Sequence, residues 1–273
     1  MFYVRRALRL FPLYCLAIAI VIVGTHFLQG FRTWMDIPLF IYGANIVVVL
    51  PHSFTRFPPY FDCTHFWALA LEEQFYSVWP LIVFLVARRR TLIYICSIGI
   101  VAALALRVGA TVLGFSLWIP NTQLPMRMDS LLAGALFALA LRGPNPAKWL
   151  NPARLKWILL TSALMLIAVV ASARTLFWMS TPMCTVGFSV LAVMYTCILA
   201  LALIPGTITH QIGGNRILRF FGRYSYGIYV WHYLTYQVCS GWYGAFQRSI
   251  HPGFLANIVY VAAMLALSLG APC

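Results

Sequence analysis

"HFWALALEEQFYSVWP", residues 65–80, sets two adjacent carboxylates, Glu72 and Glu73, inside a run of Trp, Phe, Leu, Ala, Val and Tyr. On a helix, His65, Leu69, Glu72, Tyr76 and Trp79 follow one another at helical spacing and share a face. Glu73 projects about 100° away from it. The apolar run extends to residue 87, long enough to cross a bilayer, which takes about 20 residues. The chain holds only five acidic residues, so two of them side by side in one span need a reason.

The rest of the chain has the same character. Hydrophobic residues make up 62% of the 273 and charged residues 9%, against roughly 25% charged in a soluble domain. Apolar runs at 10–28, 65–87, 91–115, 125–141, 157–173, 182–205, 223–243 and 254–270 predict an all-α polytopic membrane bundle of about eight transmembrane helices. The segment 37–50 is too short to cross and carries Pro38 and Asn45, so it is expected to be re-entrant or interfacial. The N-terminal "MFYVRRALRLFPLYCLAIAIVIV" has an apolar part too long for a signal peptide and no A-x-A site, and reads as a retained span. No repeat, low-complexity tract or long linker divides residues 1–273, which form a single integral-membrane domain.

The formal net charge of +14 does not indicate nucleic acid, because the basic residues cluster in short loops between spans. With Arg5, Arg6 and Arg9 cytoplasmic, the groups Arg88–Arg89–Arg90, Arg142/Lys148/Arg154/Lys156 and Arg216/Arg219/Arg223 fall on the same side. Only Arg32, Arg56, Arg174 and Arg248 fall outside, and 51–64 is extracytoplasmic. The seven cysteines (15, 63, 96, 184, 197, 239, 273) lie mostly in spans without a C-x-x-C pair, so they read as small membrane-buried hydrophobes.

A charge at mid-span costs at least about 2.5–3.5 kcal/mol and is paired, water-facing or functional. The residues concerned are Glu72, Glu73, Arg107, Arg127 and Asp129, with His232 as a titratable companion. Either a carboxylate of the glutamate pair locks the bundle by meeting Arg107 or Arg127, or it belongs to an active site. In "RMDSLLAGALFAL" (127–139), Ser130, Gly134 and Ala138 have the small-x-x-x-small spacing of close helix packing. In "GRYSYGIYVWH" (222–232), Ser225, Tyr229 and His232 share a helix face; a structural histidine is the alternative reading. "DCTH" (62–65) has no partner of metal-ligand spacing elsewhere. Arg6 and Arg9, one turn apart, are either a topology signal or a cationic mouth for phosphates. The P-loop, dinucleotide-fold, zincin and α/β-hydrolase signatures are all absent from the sequence.

Four blocks in order, "FYVRRALRLFPLY" (2–14), "HFWALALEEQFYSVWPLIVF" (65–84), "RMDSLLAGALFAL" (127–139) and "FGRYSYGIYVWHYL" (221–234), resemble the membrane acyltransferase-3 family over roughly residues 2–245. The resemblance implies acyl transfer, most often acetyl, from acyl-CoA at the cytoplasmic face to a hydroxyl of a cell-envelope or secreted saccharide. By the same resemblance the protein resides in a bacterial cytoplasmic (inner) membrane. Trp67, Glu72, Gln74, Phe75 and Tyr76 match the glutamate motif, Arg6, Arg9 and Pro12 the arginine motif, and Ser225, Tyr226, Tyr229 and His232 the tyrosine–histidine motif. Ala68 stands where serine is usual and Tyr233 where proline is frequent. The family places two further helices, the first with a histidine base, ahead of the arginine motif, and a short acidic-basic-Pro motif at its end. Both are missing from this sequence, which predicts a chain incomplete at each end and possessing no transfer activity by itself.

Glu72 and His232 are the candidate catalytic residues, His232 being the only membrane-embedded imidazole in a motif once the family's histidine base is missing; Arg6 and Arg9 would meet the phosphates of acetyl-CoA or another acyl-CoA; Trp67, Tyr76, Ser225 and Tyr229 would support the site by the resemblance, and Arg107, Arg127 and Asp129 as charges within the spans. Glu72 would carry a proton or orient a histidine. Acyl-CoA would be a co-substrate, with no tightly bound cofactor or metal. The partners expected are the lipid bilayer and a saccharide or lipid-linked glycan acceptor, not nucleic acid. The rivals are a secondary transporter or flippase gated by Glu72 with Arg107, and an inactive remnant of the enzyme.

Overall fold

The computed structural model describes residues 1–29, 38–49, 64–175, 177 and 179–249, the side chains of 24–29 and 238–249 excepted. Among these residues the regular structure is entirely helical. This follows from the sequence, because a backbone in hydrocarbon must satisfy its own amides and carbonyls. Among the described residues six stretches are long and apolar enough to cross a membrane: Phe2–Val23, Thr64–Leu85, Arg89–Val112, Trp118–Leu141, Pro152–Ala173 and Met183–Ala202. They match six of the expected spans and make this an integral membrane protein. The seventh, 223–243, lies within a helix of 34 residues, and the eighth, 254–270, falls outside the described residues.

In chain order the helices are α1 (Phe2–Gln29), the four-residue α2 (Ala44–Val47), α3 (Trp67–Leu85), α4 (Arg89–Val112), α5 (Trp118–Thr122), α6 (Leu124–Leu141), α7 (Pro152–Ala173), α8 (Phe188–Ala202), α9 (Ile208–Gly213) and α10 (Arg216–Ser249). A 3₁₀ turn, Thr64–Phe66, leads into α3, and a π turn, Met183–Gly187, leads into α8. Several ends are written into the sequence. Asn151 caps α7 by accepting from the Arg154 amide at 3.1 Å, with Pro152 at the first helical position. Thr207 caps α9 through the His210 amide at 3.1 Å.

The segment expected to be re-entrant is not one crossing helix. Residues 38–40 are helical, the chain reverses at Tyr42 with φ 53°, and α2 follows. Gly43 makes this reversal possible, since its amide reaches the Pro38 carbonyl at 2.6 Å and a Cβ there would stand 3.0 Å from that oxygen.

The chain divides into two compact units, residues 1–70 with 219–273 and residues 71–218. In the first unit Tyr14, Ile18, Leu39, Phe66, Leu69 and Val230 are core residues. Tyr14 stacks on Tyr42 at 4.2 Å between ring centroids and donates to the Leu39 carbonyl at 2.7 Å, which fastens the 38–49 segment to α1. In the second unit α4 packs along α6, and α7 along α8. Arg89 Nε donates to the Leu139 carbonyl at 2.8 Å, so the start of α4 and the end of α6 lie at one level. This agrees with placing Arg88–Arg90 and Arg142 on one side of the membrane.

One packing expectation is corrected. Ser130, Gly134 and Ala138 are exposed, and a Cβ on Gly134 would meet nothing within 4 Å. The close approach of α4 to α6 occurs at Gly99 instead, where a Cβ would stand 2.4 Å from Leu132 Cδ1. Small-residue spacing marks a face that permits contact, but the buried face of α6 is the one carrying Asp129, Leu132 and Ala140. The cysteines whose side chains are described agree with their reading as small hydrophobes: Cys96, Cys184 and Cys197 are buried, and Cys15 is half-buried.

Candidate functional site

In the first unit the polar groups gather where α10 passes the entry to α3. Tyr226, Tyr229, Val230 and Tyr233 recur along α10 at i, i+3, i+4 and i+7, an aromatic stripe on one face. His65 sits in the 3₁₀ turn, and its carbonyl accepts the Tyr229 hydroxyl. The His65 ring lies 5.5 Å from that of His232 and 5.0 Å from that of Tyr233, centroid to centroid. Higher on the same stripe, Tyr226 donates to the Leu10 carbonyl at 2.9 Å. That bond joins the tyrosine–histidine motif to α1 immediately beside Arg9. Arg6 is half-buried and Arg9 exposed on α1.

The tautomers follow from the partners. His232 Nδ1 lies 2.7 Å from the Tyr229 carbonyl, which can only accept, so Nδ1 carries the hydrogen and Nε2 keeps a lone pair. His65 Nε2 faces the Val230 carbonyl at 3.4 Å, a long contact, and its Nδ1 is buried with no hydrogen-bond partner among the described residues. Two imidazoles thus each present one lone pair within a single cluster. Ser225, placed on this face by its spacing, is exposed and donates to the Gly222 carbonyl of its own helix at 3.0 Å.

The second unit contains a buried ion pair. Arg107, with no exposed surface, meets Asp129, 1% exposed, at 2.7 Å. Its Nε donates to the Thr185 carbonyl at 3.1 Å, and its Nη groups reach the Met126 carbonyl and the Ser189 hydroxyl. Ser189 in turn donates to Asp129 Oδ2 at 2.7 Å. Three elements contribute: α4 brings Arg107, α6 brings Asp129, and the π turn with the first turn of α8 brings Thr185 and Ser189. Arg127 holds its guanidinium carbon 3.7 Å from the centre of the Phe188 ring, a cation–π contact.

The expected pairing of Glu72 with Arg107 or Arg127 is therefore corrected, since Arg107 meets Asp129 and Arg127 lies on the Phe188 ring. Asp129 is the partner, because α6 packs along α4 and carries its second-turn carboxylate to the depth of Arg107. Glu72 is exposed on α3 and Glu73 half-buried. Trp67 is half-buried at the start of α3, and Tyr76 packs with Trp79 against the core of Phe75, Cys96 and Leu132.

A family model described as an acyltransferase domain, acyltransferase-3, matches residues 1–273. The chain belongs to the acyltransferase-3 family. Among curated proteins, O-acetyltransferase OatA of Staphylococcus aureus (strain NCTC 8325 / PS 47) is 25% identical over 209 residues, which is 75% of this chain and 34% of that protein. A Staphylococcus aureus (strain COL) protein provisionally named an O-acetyltransferase is 24% identical over 271 residues, 93% of this chain and 44% of its own. The chain thus spans about a third to under half of the length of these relatives. No solved structure matches it.

Within the acyltransferase-3 motifs, sequence reasoning underrated His65. It opens the most specific block, and the structure sets it against His232 and Tyr229. Ser189 and Thr185 gave no signal, being ordinary hydroxyl residues in an apolar run.

Proposed function

We propose that the chain is the membrane domain of an O-acyltransferase that moves an acyl group, acetyl in the first instance, from acyl-CoA to a hydroxyl of a cell-envelope or secreted saccharide. The observation that carries the reading is the His232 imidazole, whose Nδ1 is committed to the Tyr229 carbonyl so that Nε2 is left as a proton acceptor. Such an imidazole takes the proton of an attacking hydroxyl as its oxygen adds to the thioester carbonyl carbon. Collapse of the tetrahedral adduct breaks the C–S bond, and the proton passes to the departing thiolate. Arg6 and Arg9 give a basic mouth suited to the phosphates of CoA, since guanidinium matches phosphate oxygens. Glu72 is assigned to proton transport, and Tyr229, bonded to the His65 backbone, holds the geometry of the cluster. The N-terminus lies on the cytoplasmic side of a bacterial inner membrane in this reading, where acyl-CoA is found.

The test is acyl-CoA-dependent acylation of envelope glycans by the full-length protein, read by mass spectrometry. His232→Ala is expected to lower the rate by about 10²–10⁴-fold, the usual worth of a general base. Glu72→Gln should cripple transfer at normal membrane levels, and Glu73→Gln should do less. Full activity in both His232→Ala and Glu72→Gln would refute the assignment, and glycan passage across vesicles without acylation would favour a transporter.

A further inference from the structure

His232 can act as a base only while its ring keeps one orientation, and its own torsions do not supply that. The last torsion of a histidine side chain joins a tetrahedral to a planar carbon and has broad wells, so neighbours must set the angle. The 2.7 Å bond from Nδ1 to the Tyr229 carbonyl, three residues back on the same helix, fixes where one ring nitrogen lies. It leaves the ring free to tilt about that contact.

Among the described residues three rings stand against His232: Tyr229 at 5.4 Å, Tyr233 at 6.3 Å and His65 at 5.5 Å between centroids. The two tyrosines belong to α10 and travel with His232. His65 comes from the 3₁₀ turn ahead of α3, and its ring crosses that of His232 at 83°, edge against face. It is the wall that ties the His232 ring to an element other than its own helix.

That wall is itself anchored. Phe66, with 0% exposure, meets Tyr14 edge-on at 5.3 Å and fastens the turn to α1. The His65 ring lies 4.0 Å from that of Phe66 and 5.0 Å from that of Tyr233, and its Nε2 faces the Val230 carbonyl at 3.4 Å. The His65 carbonyl accepts the Tyr229 hydroxyl, and the Tyr229 carbonyl accepts His232 Nδ1–H. His65, Tyr229 and His232 thus close a circuit, two links of which are hydrogen bonds and the third the contact between the imidazoles.

We propose that His65 is a positioning residue for His232, its ring holding that imidazole in one orientation with Nδ1 protonated and Nε2 bare. The consequence for transfer rests on the reading of His232 as the base; the ordering of the ring does not. The side chain carries the role, since the backbone bond to Tyr229 survives any substitution at position 65. A ring is what the position requires. His65 Nδ1, buried without a hydrogen-bond partner among the described residues, takes no part in it.

The experiment uses the full-length protein in lipid nanodiscs with isotope-labelled histidine. Nitrogen NMR reads the tautomer of His232, whose signal is identified by its loss in His232→Ala. The native protein should show the Nδ1–H form alone, and His65→Ala a mixture of both tautomers. His65→Phe, which keeps a ring and discards the stranded nitrogen, should restore the single form. The His210 signal, from an imidazole bonded to the Ala202 carbonyl in the other unit, serves as the control for folding. In parallel, kcat for transfer from acetyl-CoA should fall about 10²-fold in His65→Ala, the cost of a misplacement of about 1 Å. His65→Phe should recover most of that loss. KM for acetyl-CoA should hold, and the loss should disappear in a His232→Ala background, because residues that act through one another are not additive. An undisturbed His232 signal in His65→Ala, a mixed one in His65→Phe, or a full second loss in the His232→Ala background would overturn the proposal. Should the signals behave as expected while His232→Ala transfers at the native rate, the positioning stands and the assignment of the base fails.

Discussion

Asp129→Asn removes one unit of charge from the second unit and little else. The amide is nearly isosteric with the carboxylate, and its oxygen can still accept from Arg107 Nη2 and Ser189, both of which bond Oδ2 in the native protein. Arg107, however, would remain fully buried with no counter-charge among its bonded partners, which would be the Thr185 and Met126 carbonyls and the Ser189 hydroxyl. Removing one partner of a buried pair costs about 3–5 kcal/mol, because a desolvated charge is left behind. Retained hydrogen bonds place Asp129→Asn near the lower end, about 3 kcal/mol. The hydrophobic double replacement Arg107→Met with Asp129→Leu should recover much of that loss, since it leaves no charge stranded. The assay is unfolding in mixed micelles by an SDS titration followed by circular dichroism, applied to Asp129→Asn and to a double-mutant cycle of the native protein, Arg107→Met, Asp129→Leu and the double replacement. A loss below about 1 kcal/mol for Asp129→Asn, or additive effects in the cycle, would show that the 2.7 Å pair does not hold the unit together.

Four further outcomes follow from the packing. Tyr14→Phe deletes the donor to the Leu39 carbonyl and should cost about 1–2 kcal/mol in the same titration, with protease cleavage within 38–49 rising in step. Gly99→Leu should destabilise by about 1–3 kcal/mol through its clash with Leu132. Gly134→Leu should instead stay within about 0.5 kcal/mol of the native protein, since nothing faces it. Single cysteines at 89 and 142 should react with a membrane-impermeant thiol reagent from the same side, and opposite labelling would break the topology that the Arg89–Leu139 bond supports.

The membrane class was legible because composition and run length suffice for it: a backbone in lipid has few alternatives to helix. Arg89 shows that the positive-inside reading carried real geometry, since its side chain meets the end of α6 as the loop assignment requires. The short α5 was not legible. Trp118–Thr122 contains Pro120 and Asn121 and reads as a loop, yet Pro120, Asn121 and Thr122 are buried, so tertiary contact imposes its turn. The ion pair was half legible. The apolar runs marked Arg107 and Asp129 as charges out of place, but periodicity along one helix says nothing of which helix lies alongside at the same depth, and Glu72 was matched to an arginine that Asp129 holds. His65 and His232 illustrate the same limit, since 167 positions separate two rings that the fold brings to 5.5 Å.

The π turn at Met183–Gly187 gives the second unit an unusual dependence on chain length. A π turn accommodates one residue more than α-helical winding would, and every residue after it inherits the offset. One residue is worth about 100° of rotation around a helix axis. Ser189 therefore reaches Asp129, and the Thr185 carbonyl reaches Arg107, in part because a supernumerary residue sits just ahead of α8. Loss of any single residue from this turn, whatever its chemistry, would turn the whole of α8 by more than a quarter circle and carry Ser189, Ala192, Thr196 and Ala200 away from α6 as one body. In related chains the number of residues here is accordingly a sharper indicator of an intact polar cluster than the identity of any one of them.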